Sequence, residues 1–79
     1  MHDVRGKQVV VIGLGLSGRA AVAALLDRGA IVLANDARPS LTPPLPEHPA
    51  LRLHLGDHSF PLTVDCVVVS PGVPPLPIV

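Results

Sequence analysis

The chain has 79 residues, of which 48% are hydrophobic and 15% are charged, so it is too apolar for a disordered tail and too short for more than one domain. Six Lys and Arg residues balance six Asp and Glu residues, which excludes the strong field of a protein that binds nucleic acid or an anionic membrane. No apolar run approaches the roughly 20 residues that cross a bilayer, and the single Cys66 cannot form an internal disulfide. We therefore expect a soluble protein of a reducing, cytoplasmic compartment.

The first half of the chain predicts a strand, a helix and a second strand. Gln8–Ile12 (QVVVI) is a β-branched run without polar alternation, typical of a strand buried on both faces of a parallel sheet. After Gly13 the composition changes to helix formers over residues 17–28, and Gly29 follows as the expected carboxyl-terminal cap. Residues 30–35 form a second buried strand, so the three elements predict a right-handed crossover unit.

The second half predicts two further strands separated by loops. Five prolines between positions 39 and 49 remove backbone donors, so we expect an extended surface loop there in place of a second helix. Leu51–Leu55 is a third strand, and residues 59–63 can form little more than a helical turn. Cys66–Val69 (CVVV) is a fourth, buried strand, in which the thiol is expected to behave as a small hydrophobic group.

These elements predict an α/β fold, a single small Rossmann-like domain over residues 1–79. Its parallel sheet would have about four strands in the order 3-2-1-4, with helices on its faces. The first and fourth strands are then neighbours where the winding reverses, and ligands bind beyond their carboxyl ends, which places Ser70, Pro71 and Gly72 opposite the loop after the first strand. Because a sheet that ends at its fourth strand has an open edge, self-association through that edge is also expected.

Residues 13–18 (GLGLSG) match the pattern G-x-G-x-x-G between a strand and a helix, the context that a nucleotide-binding loop requires. Gly13 allows a tight turn, Gly15 lets a phosphate approach the backbone, and Gly18 seats the helix on the sheet. Amides of the first helical turn can then donate to anionic oxygens. Asp36 stands 18 residues beyond Gly18, where dinucleotide-binding folds place an acid that accepts from ribose hydroxyls. The alternative is that the glycines only form a turn and the acid is a helix cap or a loop charge.

From these residues alone the ligand is a nucleotide with a diphosphate, and NAD is the first choice. A NAD- or nucleotide-binding regulatory module and the cofactor domain of an oxidoreductase share the same glycine loop and acid. However, the strings GKQVVVIGLGLSGRAAVAALLDRGA, NDAR and VVVSPG, in this order, strongly resemble the N-terminal domains of the MurD family. These bacterial ligases add D-glutamate to UDP-N-acetylmuramoyl-L-alanine in peptidoglycan synthesis. The resemblance runs from Gly6 to about Gly72, and Arg38 with the SPG string favours it over a regulatory module.

The resemblance implies that this domain binds the UDP part of UDP-N-acetylmuramoyl-L-alanine. Other domains of the same enzyme would bind ATP, Mg²⁺ and D-glutamate, and an acyl phosphate would be the intermediate. Leu16 and Ser17 would contact the diphosphate, Asp36 would read the uracil, and Arg38 would flank the uracil ring. Ala37 stands where the family often has Thr or Ser, and it offers the uracil no hydroxyl. The UDP-substrate site implied by the resemblance comprises Gly15, Leu16, Ser17, Gly18, Asp36, Arg38, Ser70 and Gly72.

No catalytic residue is expected in this chain, and the chain alone is expected to be inactive. It has no nucleophile beside a base, and it lacks the G-x-x-x-x-G-K-[ST] string of a phosphate-binding ATP loop. Its four histidines lack the spacing of metal ligands, so we expect neither a metal site nor a cofactor in these residues. Arg19 and Arg28 on the helix are expected to be solvated surface charges rather than phosphate ligands.

Overall fold

A computed structural model of the chain describes residues 3–57 and 63–70. In this part of the chain, four strands form a parallel sheet in the order β3-β2-β1-β4, and one α-helix packs on it, so the predicted α/β fold and strand order are confirmed. No helix in these residues is both long and apolar enough to cross a membrane. The elements are β1 (Gln8–Ile12), α1 (Leu16–Asp27), β2 (Ile31–Asp36), β3 (Leu51–Leu55) and β4 (Cys66–Val69).

Strand β1 is the centre of the sheet because its residues pair on both sides. Val10 lies in register with Leu33 of β2 and with Val67 of β4. Val10, Val11 and Ile12 are completely buried, as the unbroken β-branched run predicts. The carboxyl end of this strand therefore opens at the middle of the sheet edge, between the ends of its two neighbours.

Helix α1 packs on the sheet through Val22, which is buried with its neighbours on β1 and β2. The end of the helix is capped by Gly29, as predicted. Gly29 has a φ of 83°, and its N–H donates to the carbonyl of Leu26 at 3.0 Å, while the N–H of Ala30 donates to the carbonyl of Leu25 at 3.0 Å. This is a Schellman cap, which satisfies two of the last carbonyls and turns the chain directly into β2.

The proline-rich segment between β2 and β3 is irregular along its whole length, so the predicted extended loop is confirmed. The loop also contributes to the core, because Leu41 is 8% exposed and packs in the same cluster as Val22 and Ala34. The helical turn predicted over residues 59–63 lies, except for Thr63, outside the described residues.

Strand β4 forms one edge of the described sheet. Asp65 fixes its start beside β1, since the N–H of Gln8 donates to the Asp65 carboxylate at 2.8 Å and the N–H of Asp65 donates to the carbonyl of Gln8 at 2.9 Å. The prediction that this strand is buried is wrong. Cys66 is exposed, and Val67 and Val69 are 40% and 48% exposed, because β4 is paired on one side only among the described residues. Self-association through this edge stays a prediction.

Candidate functional site

The glycine loop, residues 13–18, connects the buried end of β1 to the start of α1. Gly13 turns the chain with a φ of 91°, and its N–H donates to the carbonyl of Asn35 at the end of β2, at 2.8 Å. Gly18 lies directly against this turn, and a Cβ atom at that position would come within 1.7 Å of the Gly13 carbonyl oxygen. No residue other than glycine fits there without displacing backbone, as predicted for the glycine that seats the helix.

Gly15 differs from both of these glycines because the fold itself does not require it. Its φ of −75° is accessible to any residue, and a Cβ atom built on it would meet nothing within 4 Å. A side chain at this position would instead occupy the open space in front of the loop. Without a side chain at Gly15, the backbone of the loop is accessible at this point.

The amino end of α1 has a row of free backbone donors. The first helical hydrogen bond runs from the N–H of Arg19 to the carbonyl of Gly15 at 2.9 Å, and no side chain caps this end of the helix. Within the described residues, the N–H groups of residues 15–18 therefore have no protein acceptor. Leu16 is 89% exposed, Ser17 is exposed, and no acidic residue occupies the first turn. The positive end of the helix dipole is left open to an external anion.

Asp36, the last residue of β2, holds the glycine loop through a hydrogen bond from the backbone of Leu14. Its carboxylate accepts the N–H of Leu14 at 2.8 Å and three bonds from Arg38, from the backbone N–H, Nε and Nη2, at 2.9, 3.0 and 2.9 Å. These four donors take up the acceptor positions of both oxygens. The Arg38 side chain holds the pKa of the Asp36 carboxyl well below its usual range, against the opposing effect of burial. The residue is only 6% exposed and carries its charge at neutral pH.

Two arginines converge on the carbonyl oxygen of Leu14. Nη2 of Arg38 donates to it at 3.1 Å and Nε of Arg19 at 3.0 Å. Arg19 is partly buried and bonded to the loop, so the expectation of solvated surface charges fits the exposed Arg28 better than Arg19. The sequence signal that could have indicated this contact is its position one residue after the last glycine of the motif, within reach of the loop.

Ser70 completes the described part of the site. Directly after β4, it is 7% exposed, and its N–H donates to the carbonyl of Ile12 at 2.8 Å. Its Cβ lies 3.7 Å from the position that a Cβ on Gly18 would occupy, so the end of β4 does face the glycine loop as predicted. Pro71 and Gly72 lie outside the described residues. The structure thus brings Gly15, Leu16, Ser17, Gly18, Asp36, Arg38 and Ser70 to the same end of the sheet.

Other polar residues lie apart from this cluster. His48 accepts the N–H of Ala50 through Nδ1 at 3.0 Å, and His54 Nε2 lies 2.6 Å from a carboxylate oxygen of Asp57. Among residues 3–57 and 63–70, no three His, Cys, Asp or Glu side chains group as metal ligands would.

Residues 7–77 match the family model of the Mur ligase MurD-like N-terminal domain. The chain belongs to this family. The three strings that indicated the resemblance therefore identified it correctly, and the glycine loop, Asp36 and Ser70 all lie within the matched residues.

Relatives of this MurD-like domain include the proteins named UDP-N-acetylmuramoylalanine--D-glutamate ligase from Pectobacterium atrosepticum, Yersinia pestis and Escherichia coli K12. Each is 40% identical over 79 aligned positions, which cover 92% of this chain and 17% of the relative. The chain thus spans about a sixth of the length of these ligases. No solved structure matches the chain significantly.

Proposed function

We propose that this domain binds the UDP part of UDP-N-acetylmuramoyl-L-alanine, within an ATP-dependent ligase that adds D-glutamate to that substrate. The observation that supports the proposal best is the row of four amides at residues 15–18 that have no acceptor among the described residues, in a chain that belongs to the MurD-like family. The names of the relatives supply the substrate and the reaction.

The diphosphate is the group best suited to the open amides. Each anionic oxygen can accept one or two of them, and the dipole of α1 adds roughly 0.3–1 kcal/mol for a negative charge at this end. Gly15 supports this placement because its missing side chain keeps the approach open although no neighbour in the fold demands it. The Ser17 hydroxyl, exposed in the first turn, provides a further donor beside the amides.

The uridine is proposed to lie towards Asp36 and Arg38. The Arg38 side chain is 55% exposed, so its planar guanidinium offers a surface on which a flat base can stack. Since all acceptor positions of Asp36 are taken, a uracil N–H reaches this carboxylate only if one side-chain donor of Arg38 gives way. The two backbone donors, from Leu14 and Arg38, can stay in place during that exchange.

ATP and Mg²⁺ are proposed to bind outside these residues, in the remaining part of a cytoplasmic enzyme. The 79 residues lack a G-x-x-x-x-G-K-[ST] loop, and the described ones offer no cluster of three acidic or other metal ligands. These residues therefore do not fit ATP or Mg²⁺. The chain alone is expected to bind substrate without turning it over.

The test is calorimetric titration of the 79-residue chain with UDP, UMP and NAD. We expect UDP to bind, UMP to bind more weakly because it lacks the second phosphate, and NAD to bind least. At 100 times its dissociation constant, UDP should also stabilise the fold by about 2.7 kcal/mol, visible as a rise in melting temperature.

A matched pair of variants locates the ligand. Gly15→Ala should weaken UDP binding by about tenfold or more, because its methyl group occupies the approach to the amides, while the exposed loop variant Ser40→Ala should bind as the parent does. A chain that binds NAD but not UDP would contradict the proposal and favour a regulatory nucleotide-binding module.

A further inference from the structure

The peptide groups on either side of Leu14 are held in fixed orientations by side chains from two elements. The N–H of Leu14 donates to Asp36 at 2.8 Å, and its carbonyl oxygen accepts from Arg38 at 3.1 Å and from Arg19 at 3.0 Å. Leu14 is completely buried, so these bonds form away from water, where an unpaired carbonyl or amide would be costly. Two donors occupy both lone pairs of the carbonyl oxygen.

The orientation of this carbonyl determines the direction of the next amide. In a trans peptide, the carbonyl of Leu14 and the N–H of Gly15 point in opposite directions across one plane. With the oxygen turned towards the two guanidinium groups, the Gly15 N–H points away from them, and it has no acceptor among the described residues. Gly15 has no side chain to restrict this peptide, so its orientation depends on the bonds to the carbonyl.

Arg19 makes fewer hydrogen bonds than Arg38, so the effect of its bond to the Leu14 carbonyl can be tested separately. Arg38 is also bound to Asp36 by three hydrogen bonds, so its position follows from that ion pair. Among the described residues, the Arg19 side chain makes one hydrogen bond, from Nε to the Leu14 carbonyl, and it forms no ion pair with a carboxylate.

We propose that Arg19 is a positioning residue for the diphosphate site, whose Nε holds the Leu14 carbonyl so that the Gly15 N–H is presented to the ligand. This inference rests on the proposed function, because it assigns the free amide of Gly15 to a diphosphate. It makes the position of Nε, rather than the positive charge of Arg19, the property that matters.

Two variants separate the donor from the charge. In Arg19→Gln the amide nitrogen is attached at the same point of the side chain as Nε, so a donor remains where it stood while the charge is lost. Arg19→Met keeps a similar apolar stem and removes both. Gln and Met are good helix formers, so neither change should disturb α1.

The readout is the UDP dissociation constant of the 79-residue chain. Arg19→Gln should bind within about twofold of the parent, and Arg19→Met about five- to tenfold more weakly, the factor that corresponds to one ordinary hydrogen bond. Equal binding by Arg19→Met and the parent would overturn the inference. So would binding by Arg19→Gln as weak as that of Arg19→Met, since that result assigns the effect to charge.

A second measurement needs no ligand. The ¹⁵N order parameter of the Gly15 amide should fall in Arg19→Met and stay near the parent value in Arg19→Gln, because only the former leaves the preceding carbonyl held by Arg38 alone. Failure of the parent to bind UDP would contradict the proposed function. An unchanged order parameter of the Gly15 amide in Arg19→Met would contradict the positioning role of Arg19, whether or not UDP binds.

Discussion

Replacing Asp36 with alanine removes the acceptor that fixes the glycine loop to the end of β2. The change leaves the buried N–H of Leu14 without its partner, at a cost of about 1–3 kcal/mol. Arg38 also loses its ion pair, but its side chain is 55% exposed, so water replaces most of that interaction and the pair adds little to the loss. We therefore expect Asp36→Ala to lower the free energy of unfolding by about 1–3 kcal/mol at pH 7, most of it from the unpaired Leu14 N–H. A domain of this size has a total of roughly 4–12 kcal/mol.

The pH dependence of this loss gives the sharper test. Because hydrogen bonds from Arg38 hold the folded-state pKa of Asp36 below its usual value of about 3.9, the stabilisation is fully present above that value. It is lost as the pH falls below the usual value towards the folded-state pKa. The difference between the parent and Asp36→Ala should therefore be constant from about pH 7 to 5 and then shrink, by at most about 1.4 kcal/mol per pH unit.

Urea unfolding followed by circular dichroism between about pH 2.5 and 7 measures this difference directly. Asp36→Asn serves as the matched control, since it keeps the shape of the side chain and removes its titration. A difference below about 1 kcal/mol at pH 7, or one that does not change with pH, would refute the assignment of the Asp36 carboxylate as the charged acceptor of Leu14 and Arg38.

Two further predictions concern the fold around the site. Gly18→Ala should destabilise the chain by about 1–3 kcal/mol or more, because its Cβ would lie 1.7 Å from the Gly13 carbonyl oxygen. Gly15→Ala is the control and should cost less than about 1 kcal/mol, so equal losses in urea unfolding would contradict the geometry of the loop. Leu41→Ala should lower the free energy of unfolding by about 2–3 kcal/mol because this loop residue belongs to the core, whereas the control Leu53→Ala, at a 48% exposed position, should lower it less. A loss below about 0.5 kcal/mol for Leu41→Ala in thermal unfolding would show that the loop does not pack on the core.

The strands could be predicted closely from the sequence because β-branched runs ended by glycine or polar residues leave few alternatives. The predicted bounds of β1, β3 and β4 are those observed, while β2 lies one residue later than predicted, at Ile31–Asp36. The reason is backbone pairing, since the carbonyl of Asp36 accepts the N–H of Gly56 after β3, a contact that no local pattern shows. Helix α1 begins one residue earlier than predicted because Gly15, without a capping side chain, serves as its N-cap.

The contacts between side chains of the site could not be predicted as closely as the strands. Asp36 and Arg38 were each assigned to the ligand, whereas the structure joins them to one another and to Leu14, 22 residues before the acid. Such a contact depends on the register of β1 against β2 and on the turn at Gly13. The apolar run of β4 was also misleading for Cys66, since residue type indicates a strand but not whether the strand lies at a sheet edge.

The central claim is that the amides at the start of α1 bind the diphosphate, and NMR titration of the ¹⁵N-labelled chain with UDP tests it most directly. We predict that the amide resonances of Gly15, Leu16, Ser17 and Gly18 shift most and saturate together, while amides of the distant strand β3 stay unchanged. Saturable binding of UDP that leaves these four resonances in place, with the largest shifts elsewhere in the sheet, would contradict the account.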